Sequence, residues 1–123
     1  MVAYNFQKRF APAVRSGAKK NTIRAWRKGR SRHARPGESL QLYTGMRTIA
    51  CEKLLPDPVC CNVQRITIIK ESFVSVVLDK ILLGDASIEK LVIADGFNSI
   101  EEFAEFFEKT HRLPFEGVLI SWE

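Results

Sequence analysis

The chain of 123 residues is 46% hydrophobic and has 19 Lys or Arg residues against 14 Asp or Glu, which gives a net charge of +5. This length suits one domain, and the apolar content excludes an intrinsically disordered chain. No uncharged apolar run is long enough to span a bilayer, and we identify no secretory signal. Three cysteines without a C-x-x-C pair, at positions 51, 60 and 61, argue against a disulfide scaffold or a zinc module. We therefore expect a single cytoplasmic domain over residues 1–123, without a metal site, a cofactor or membrane association.

Two short elements are predicted at the start of the chain. Tyr4–Gln7 has the pattern of a short edge strand. A short helix follows, with Pro12 in its first turn and Gly17 at its end. We expect Phe10 and Val14 to face the core from this helix.

The middle of the chain is predicted to be mostly extended. β-Branched and alternating apolar residues predict strands at Thr22–Arg24, Leu40–Tyr43, Thr48–Leu54, Val63–Ile69, Phe73–Leu78 and Ile81–Leu83. Between the last two strands, Asp79-Lys80 has the composition of a tight turn. The segment 73–83 is therefore predicted to be a hairpin.

Two helices and a closing strand are predicted in the last third of the chain. Asp85 is the expected cap of the first helix, which ends at Asp95-Gly96. Ser99–Glu102 fits a capping box that starts the second helix, and Gly117–Trp122 fits a buried strand. The core-facing residues expected on these helices are Ile88, Leu91, Val92, Phe103, Phe106 and Phe107. Short strands with a few helices predict an α+β fold, namely a small barrel with helices packed outside.

The basic residues are concentrated in the first part of the chain. Residues 1–50 contain twelve Lys or Arg residues and one acidic residue, Glu38, so they carry +11 and the other 73 residues carry −6. Nine of the basic residues lie between positions 15 and 35, interleaved with Trp26 and His33. This pattern favours contact with RNA or a nucleotide over a solvated loop. The residues that we expect to bind RNA or substrate are Lys20, Trp26, Arg27, Lys28, Arg30, Arg32, Arg35, Tyr43 and Arg47.

Four motifs occur in the same order as in a known family. They are SGAKKNTIR at 16–24, RPGESLQLY at 35–43, ADGF at 94–97 and FEGVLISW at 115–122. The first resembles the sG-x-K-x-x-T-I-R signature of ASCH domains, which belong to the PUA-like β-barrel superfamily. The resemblance covers residues 4–122. It implies a PUA-like barrel and a function related to RNA.

The resemblance also implies a set of catalytic residues. One small bacterial branch of the family consists of amidohydrolases that deacetylate N(4)-acetylcytidine with a Lys, a Thr, an Arg and a Glu. Carried over by motif, the first three fall on Lys19, Thr22 and Arg24. The acid falls on Asp95, whose carboxylate is one methylene shorter than that of the family glutamate. Other family members are ribonucleases or RNA-binding regulators.

The residue types of this set also suit amide hydrolysis on physical grounds. The reaction needs a nucleophile, a base and a donor for the developing oxyanion. Thr22 and Arg24 lie two apart in an extended segment and so share a face, with Thr22 as the nucleophile and Arg24 as the oxyanion or substrate anchor. Nearby cations should lower the pKa of Lys19 and make it a base, which Asp95 would orient.

Three functions remain open from the sequence. The first is hydrolysis of a modified nucleoside or a related small amide, and the others are non-catalytic RNA binding and single-strand ribonuclease activity. The combination of Lys, Thr and Arg favours hydrolysis, whereas the basic segment favours RNA over a free nucleoside. His33 and His111 lack partners at metal-ligand spacing, and we expect them on the surface or in loops.

Overall fold

The computed structural model of the protein describes residues 2–27 and 31–123, which form an α+β fold, as predicted. The strands are β1 (Val2–Phe6), β2 (Asn21–Ala25), β3 (Leu40–Thr44), β4 (Glu52–Lys53), β5 (Cys60–Lys70), β6 (Val74–Leu78), β7 (Ile81–Leu82) and β8 (Phe115–Trp122). The helices are α1 (Ala11–Ser16), α2 (Asp85–Ala94) and α3 (Ile100–Thr110), and a 3₁₀ helix (Lys8–Phe10) leads into α1.

The strands form two sheets. The first has the order β1-β3-β4, with β1 parallel to β3, and the second is antiparallel with the order β2-β8-β5-β6-β7. At one corner the sheets are joined by backbone hydrogen bonds, from Leu40 N–H to the Pro58 carbonyl and from Cys60 N–H to the Glu38 carbonyl, each 2.8 Å. In the described ranges the strands form these two sheets and no closed barrel.

Local sequence signals explain most of the element boundaries. Gly17 ends α1 with φ of +84°, and Ser99 caps α3 by accepting a hydrogen bond from the Glu102 N–H at 3.1 Å. Asp79 and Lys80 both have positive φ, as the predicted tight turn between β6 and β7 requires. These three predictions are confirmed.

Two element predictions are wrong. Asp85 is the first residue of α2 rather than its cap, and the cap position is held by Gly84, which has extended backbone. Of Thr48–Leu54 only Glu52–Lys53 is a strand. A turn replaces the rest, because the Thr48 hydroxyl donates a hydrogen bond to the Gly45 carbonyl at 2.6 Å. A side chain at Gly45 would lie 2.8 Å from the Ala50 carbonyl oxygen, so this turn requires glycine.

The buried apolar residues form one continuous core between the sheets and the helices. Alternate residues of β1 and β3 point into it, and so do the apolar faces of α2 and α3. The expected inward residues Ile88, Val92, Phe103 and Phe107 are buried, while Leu91 and Phe106 are partly buried. No helix in the described part of the chain is both long enough and apolar enough to cross a membrane.

Candidate active site

The connection from α1 to β2 positions the first part of the site. After the left-handed turn at Gly17, the Lys19 N–H donates a hydrogen bond to the Ala13 carbonyl at 2.9 Å. This contact holds Lys19 beside the start of β2, where Thr22 and Arg24 follow. Strand β2 pairs with β8 so closely that a Cβ atom at Gly117 would lie 2.1 Å from the Arg24 carbonyl oxygen. Glycine at position 117 therefore allows the close pairing of β2 with β8 that positions the Arg24 backbone.

The end of α2 brings Asp95 to Lys19. The Lys19 Nζ donates hydrogen bonds to the Asp95 Oδ1 and to the Asp95 carbonyl oxygen, both at 2.6 Å. Each residue is 3% exposed, so the pair is almost fully buried. Gly96 makes this approach possible, because it has φ of +96° and a Cβ atom there would lie 2.9 Å from the Phe10 ring.

Burial acts in opposite directions on the two partners. It lowers the pKa of Lys19 and raises the pKa of Asp95, whereas the ion pair between them opposes both shifts. The charged and neutral forms of the pair are therefore closer in free energy than they are in water. We expected neighbouring cations to be the main cause of the lowered lysine pKa. The larger cause is burial, and Arg24 adds a smaller contribution.

Arg24 is a fixed cation next to this pair. Its guanidinium carbon lies 5.2 Å from the centre of the Tyr4 ring and 4.9 Å from that of Phe6. Its Nε donates a hydrogen bond to the Thr22 Oγ1 at 2.9 Å, and its Nη2 donates one to the Asn5 carbonyl at 2.8 Å. Burial lowers the pKa of Arg24 to about 10, so the guanidinium is still charged at neutral pH.

The four predicted catalytic residues, Lys19, Thr22, Arg24 and Asp95, line one pocket of about 150 Å³. We call it the small pocket. Its apolar walls include Phe6, Phe10 and Phe97. It is smaller than the clefts of about 300–1,000 Å³ that enclose drug-sized ligands, so it has room for a small group only.

Hydrogen bonds in the small pocket join its polar residues in two pairs. Lys19 bonds to Asp95, and Thr22 bonds to Arg24. No hydrogen bond links the Thr22 hydroxyl to the Lys19 amine in the described ranges. Thr22 and Lys19, the expected nucleophile and base, therefore share the pocket but are not hydrogen-bonded to each other.

A second, larger cavity adjoins the small pocket. It is an open cleft of about 710 Å³ lined by Arg24, Arg27, Arg32 and Arg47, and the small pocket and the cleft share Arg24 and Asn5. We call it the arginine cleft. The described residues that line it include no Asp or Glu. Two further residues expected to bind RNA, Lys28 and Arg30, lie outside the described residues.

The other residues predicted to bind RNA line neither cavity. Trp26 is 45% exposed and lines a separate groove. The guanidinium carbon of Arg65 lies over the Trp26 ring, 5.0 Å from the ring centre. Lys20 and Arg35 are exposed, and the Arg35 N–H donates a hydrogen bond to the Glu38 carboxylate at 2.6 Å. Tyr43 is half-buried on β3. Of the residues expected to bind RNA or substrate, Arg27, Arg32 and Arg47 line the arginine cleft.

Sequence reasoning missed Asn5 and His111, which line the small pocket. Asn5 is an outward position of β1, and its contact with Arg24 crosses between the two sheets. His111 follows α3, and its ring centre lies 5.0 Å from that of Phe115. No motif marks either residue, because each reaches the site through long-range packing.

His33 has a structural role in the loop beside the arginine cleft. Its Nε2 lies 2.7 Å from the Ala25 carbonyl, which can only accept, so Nε2 carries a proton. In the neutral ring Nδ1 then accepts from the Tyr4 hydroxyl at 3.0 Å, and that hydroxyl accepts from the Ala34 N–H at 3.1 Å. Burial lowers the pKa of His33, in agreement with a neutral ring.

In the described ranges no group of three or more His, Cys, Asp or Glu side chains is arranged to hold a metal ion.

Comparison with protein-family models, with curated proteins and with solved structures finds no match to this chain. The resemblance to ASCH domains therefore rests on the four sequence motifs.

Proposed function

We propose that the protein is an ASCH-type amidohydrolase with a PUA-like fold that acts on a small amide of a modified nucleoside, such as N(4)-acetylcytidine. The observation that carries this proposal is the buried Lys19–Asp95 pair in the same small pocket as Thr22 and Arg24. Lysine and aspartate are rarely buried, and titratable groups with shifted pKa values in a pocket are typical of catalytic sites.

Thr22 is the nucleophile in the proposed reaction. Its oxygen attacks the acetyl carbonyl while the neutral amine of Lys19 takes the hydroxyl proton. The contact between Thr22 and Lys19 would form when substrate is bound, as catalytic hydrogen bonds often do. The Arg24 guanidinium, which is already bonded to the Thr22 oxygen, stabilises the negative charge that develops on the acetyl carbonyl oxygen.

Protons and bonds balance over two steps. In the first, the C–N bond breaks and the Lys19 ammonium returns its proton to the leaving nitrogen, which releases the free amine and leaves an acyl ester on Thr22. In the second, water attacks this ester, Lys19 takes a proton from the water, and the proton returns to the Thr22 oxygen as the acid leaves. Asp95 orients the Lys19 amine through the 2.6 Å contact in both steps.

The size of the small pocket favours a short acyl group. About 150 Å³ between aromatic walls suits an acetyl group, and each extra methylene would need the packed Phe6, Phe10 and Phe97 side chains to move.

A second candidate function is non-catalytic RNA binding, which the arginine cleft favours. In that case the Lys19–Asp95 pair would be structural. We favour ribonuclease activity less, because the Lys19 amine is bonded to the carboxylate and the carbonyl of Asp95, which leaves less of its charge for a phosphate.

Turnover of N(4)-acetylcytidine by the purified protein tests the proposal. We expect hydrolysis that Thr22→Ala and Lys19→Met abolish and Thr22→Ser keeps in part, since serine retains the hydroxyl. Thr110→Ala is the matched control, because its exposed hydroxyl bonds within α3. If the unmodified protein hydrolyses neither this nucleoside nor simple amides but binds RNA tightly, the second candidate is correct.

A further inference from the structure

The small pocket and the arginine cleft share a side chain that connects them physically. The Arg24 Nε bonds to Thr22 in the small pocket, and its Nη2 bonds to the carbonyl of Asn5, which lines both cavities. A ligand that places one group beside Thr22 therefore extends along Arg24 into the cleft. The cleft's volume of about 710 Å³ is within the usual range for a nucleotide-sized ligand.

The cleft has more positive charge than its own contacts neutralise. Arg32 is held by a two-point ion pair with Glu38, with both N–O distances 2.6 Å. Arg27 lies over the Tyr4 ring at 4.9 Å and donates a hydrogen bond to the Arg32 carbonyl, contacts that leave its charge without a carboxylate. Within the described ranges, Arg47 makes no hydrogen bond or ion pair, and it projects from a left-handed position with φ of +66° after β3.

We infer that the arginine cleft binds the phosphate group of a nucleotide whose acyl group enters the small pocket. This inference rests on the proposed function for the identity of the base, and it adds that the substrate is phosphorylated. A neutral nucleoside would bring no anion to Arg27 and Arg47, for which no carboxylate partner is found among the described residues. A phosphate accepts paired hydrogen bonds from guanidinium groups, which makes arginine its preferred partner.

Two sources present the same phosphate chemistry. One is a free mononucleotide, and the other is a nucleotide within single-stranded RNA. A free mononucleotide would contact only the small pocket and the arginine cleft. An RNA strand would also contact cations outside the arginine cleft. The test therefore includes both ligands.

Binding of cytidine and cytidine monophosphate, measured by calorimetry, tests the inference without the need for turnover. We expect the monophosphate to bind at least tenfold more tightly than cytidine. Arg47→Gln should reduce this ratio severalfold, because it removes a cleft cation that pairs with no carboxylate among the described residues. Arg65→Gln is the matched control, since Arg65 is exposed but lines the Trp26 groove, and it should leave the ratio unchanged. Equal affinity for the two ligands, or an equal effect of both substitutions, would overturn the inference.

A third ligand, an RNA oligonucleotide with one cytidine, identifies the source of the phosphate. If RNA is the source, the oligonucleotide binds more tightly than the monophosphate, and Arg47→Gln lowers its log–log salt slope by about 0.7. If a free nucleotide is the source, the two bind equally. Phosphate preference without hydrolysis would support the cleft and refute the hydrolase, whereas hydrolysis with no phosphate preference would do the reverse.

Discussion

Lys19 and Asp95 illustrate how far single residues can be predicted here. The motifs place both residues in the site, and the structure pairs them across 76 positions of sequence. The sequence could not predict how completely they are buried, because this depends on Phe10, Phe97 and Gly96 packing over them. Burial, rather than neighbouring charge, is the main cause of both pKa shifts. For Lys19 the sequence predicts the correct direction of the shift but the wrong main cause.

We expect Asp95→Asn to destabilise the protein by about 3 kcal/mol or more, because it leaves the buried Lys19 amine without a counter-charge. The loss should be largest at neutral pH and smaller near pH 10, where the unfolded chain also begins to lose the lysine proton. Urea unfolding at both pH values measures it.

The exposed pair Lys53–Asp57 provides the control for this substitution. Asp57→Asn removes the same chemical group from an ion pair at the surface, and it should change stability by less than about 1 kcal/mol. Equal losses from the two substitutions would mean that burial of the Lys19–Asp95 pair has no energetic consequence.

At the scale of elements, prediction succeeded where the signal is local. Gly17, the Asp79-Lys80 turn and the Ser99 cap each depend on a few adjacent residues, and all three are confirmed. The strand predicted at Thr48–Leu54 is wrong because β-branched composition there competes with the Gly45 turn, which leaves Ile49 fully exposed. The expected closed barrel is not seen in the described residues, and the sequence could not show this because strand pairing between distant segments has no local signal.

Gly117 lies at the closest approach of β2 and β8, and we expect Gly117→Ala to destabilise the protein by about 3 kcal/mol or more. The added methyl group would lie 2.1 Å from the Arg24 carbonyl oxygen, and the two strands would have to separate. This substitution should also weaken the proposed hydrolysis, because it displaces Arg24.

Gly84→Ala is the matched control for Gly117→Ala. A Cβ atom at Gly84 would contact nothing within 4 Å, and the backbone there is extended. We expect a loss of about 1 kcal/mol at most, from a poorer cap of α2. Thermal unfolding of both variants would contradict the prediction if their losses were similar.

At the scale of the whole molecule, the site lies where several elements end. Residues from β1, the α1–β2 connection, β2, the end of α2 and the segment after α3 meet around the small pocket. The motifs predicted the members from the α1–β2 connection, from β2 and from the end of α2. They could not predict Asn5 or His111, nor that Trp26 would lie in a separate groove, because these placements depend on how the sheets and α3 pack together.

The stability of the whole molecule should depend on pH through His33, the histidine that packs between β1 and β2. Because burial lowers its pKa in the folded state, the unfolded chain binds more protons just below pH 6.5. The contribution of neutral His33 to the free energy of unfolding should therefore be fully present above pH 6.5. It should decrease as the pH drops from 6.5 towards the pKa of His33 in the folded state. One proton limits the slope to about 1.4 kcal/mol per pH unit.

His33→Gln isolates this contribution. A glutamine amide can donate to the Ala25 carbonyl and accept from the Tyr4 hydroxyl, as the neutral ring does, but it does not titrate. Urea unfolding at pH 7 and pH 5 should show a smaller stability change in this variant than in the unmodified protein. His111→Gln is the comparison variant, because the His111 ring is exposed and makes no hydrogen bond within the described residues, so we expect it to change the pH dependence less than His33→Gln does. Glu38 does not interfere, because its bond to Arg32 lowers its pKa from 4.5 to about 2, and the stability linked to this group changes between those two values, below this window. If His111→Gln removed the pH dependence and His33→Gln left it intact, the neutral His33 network would not be its source.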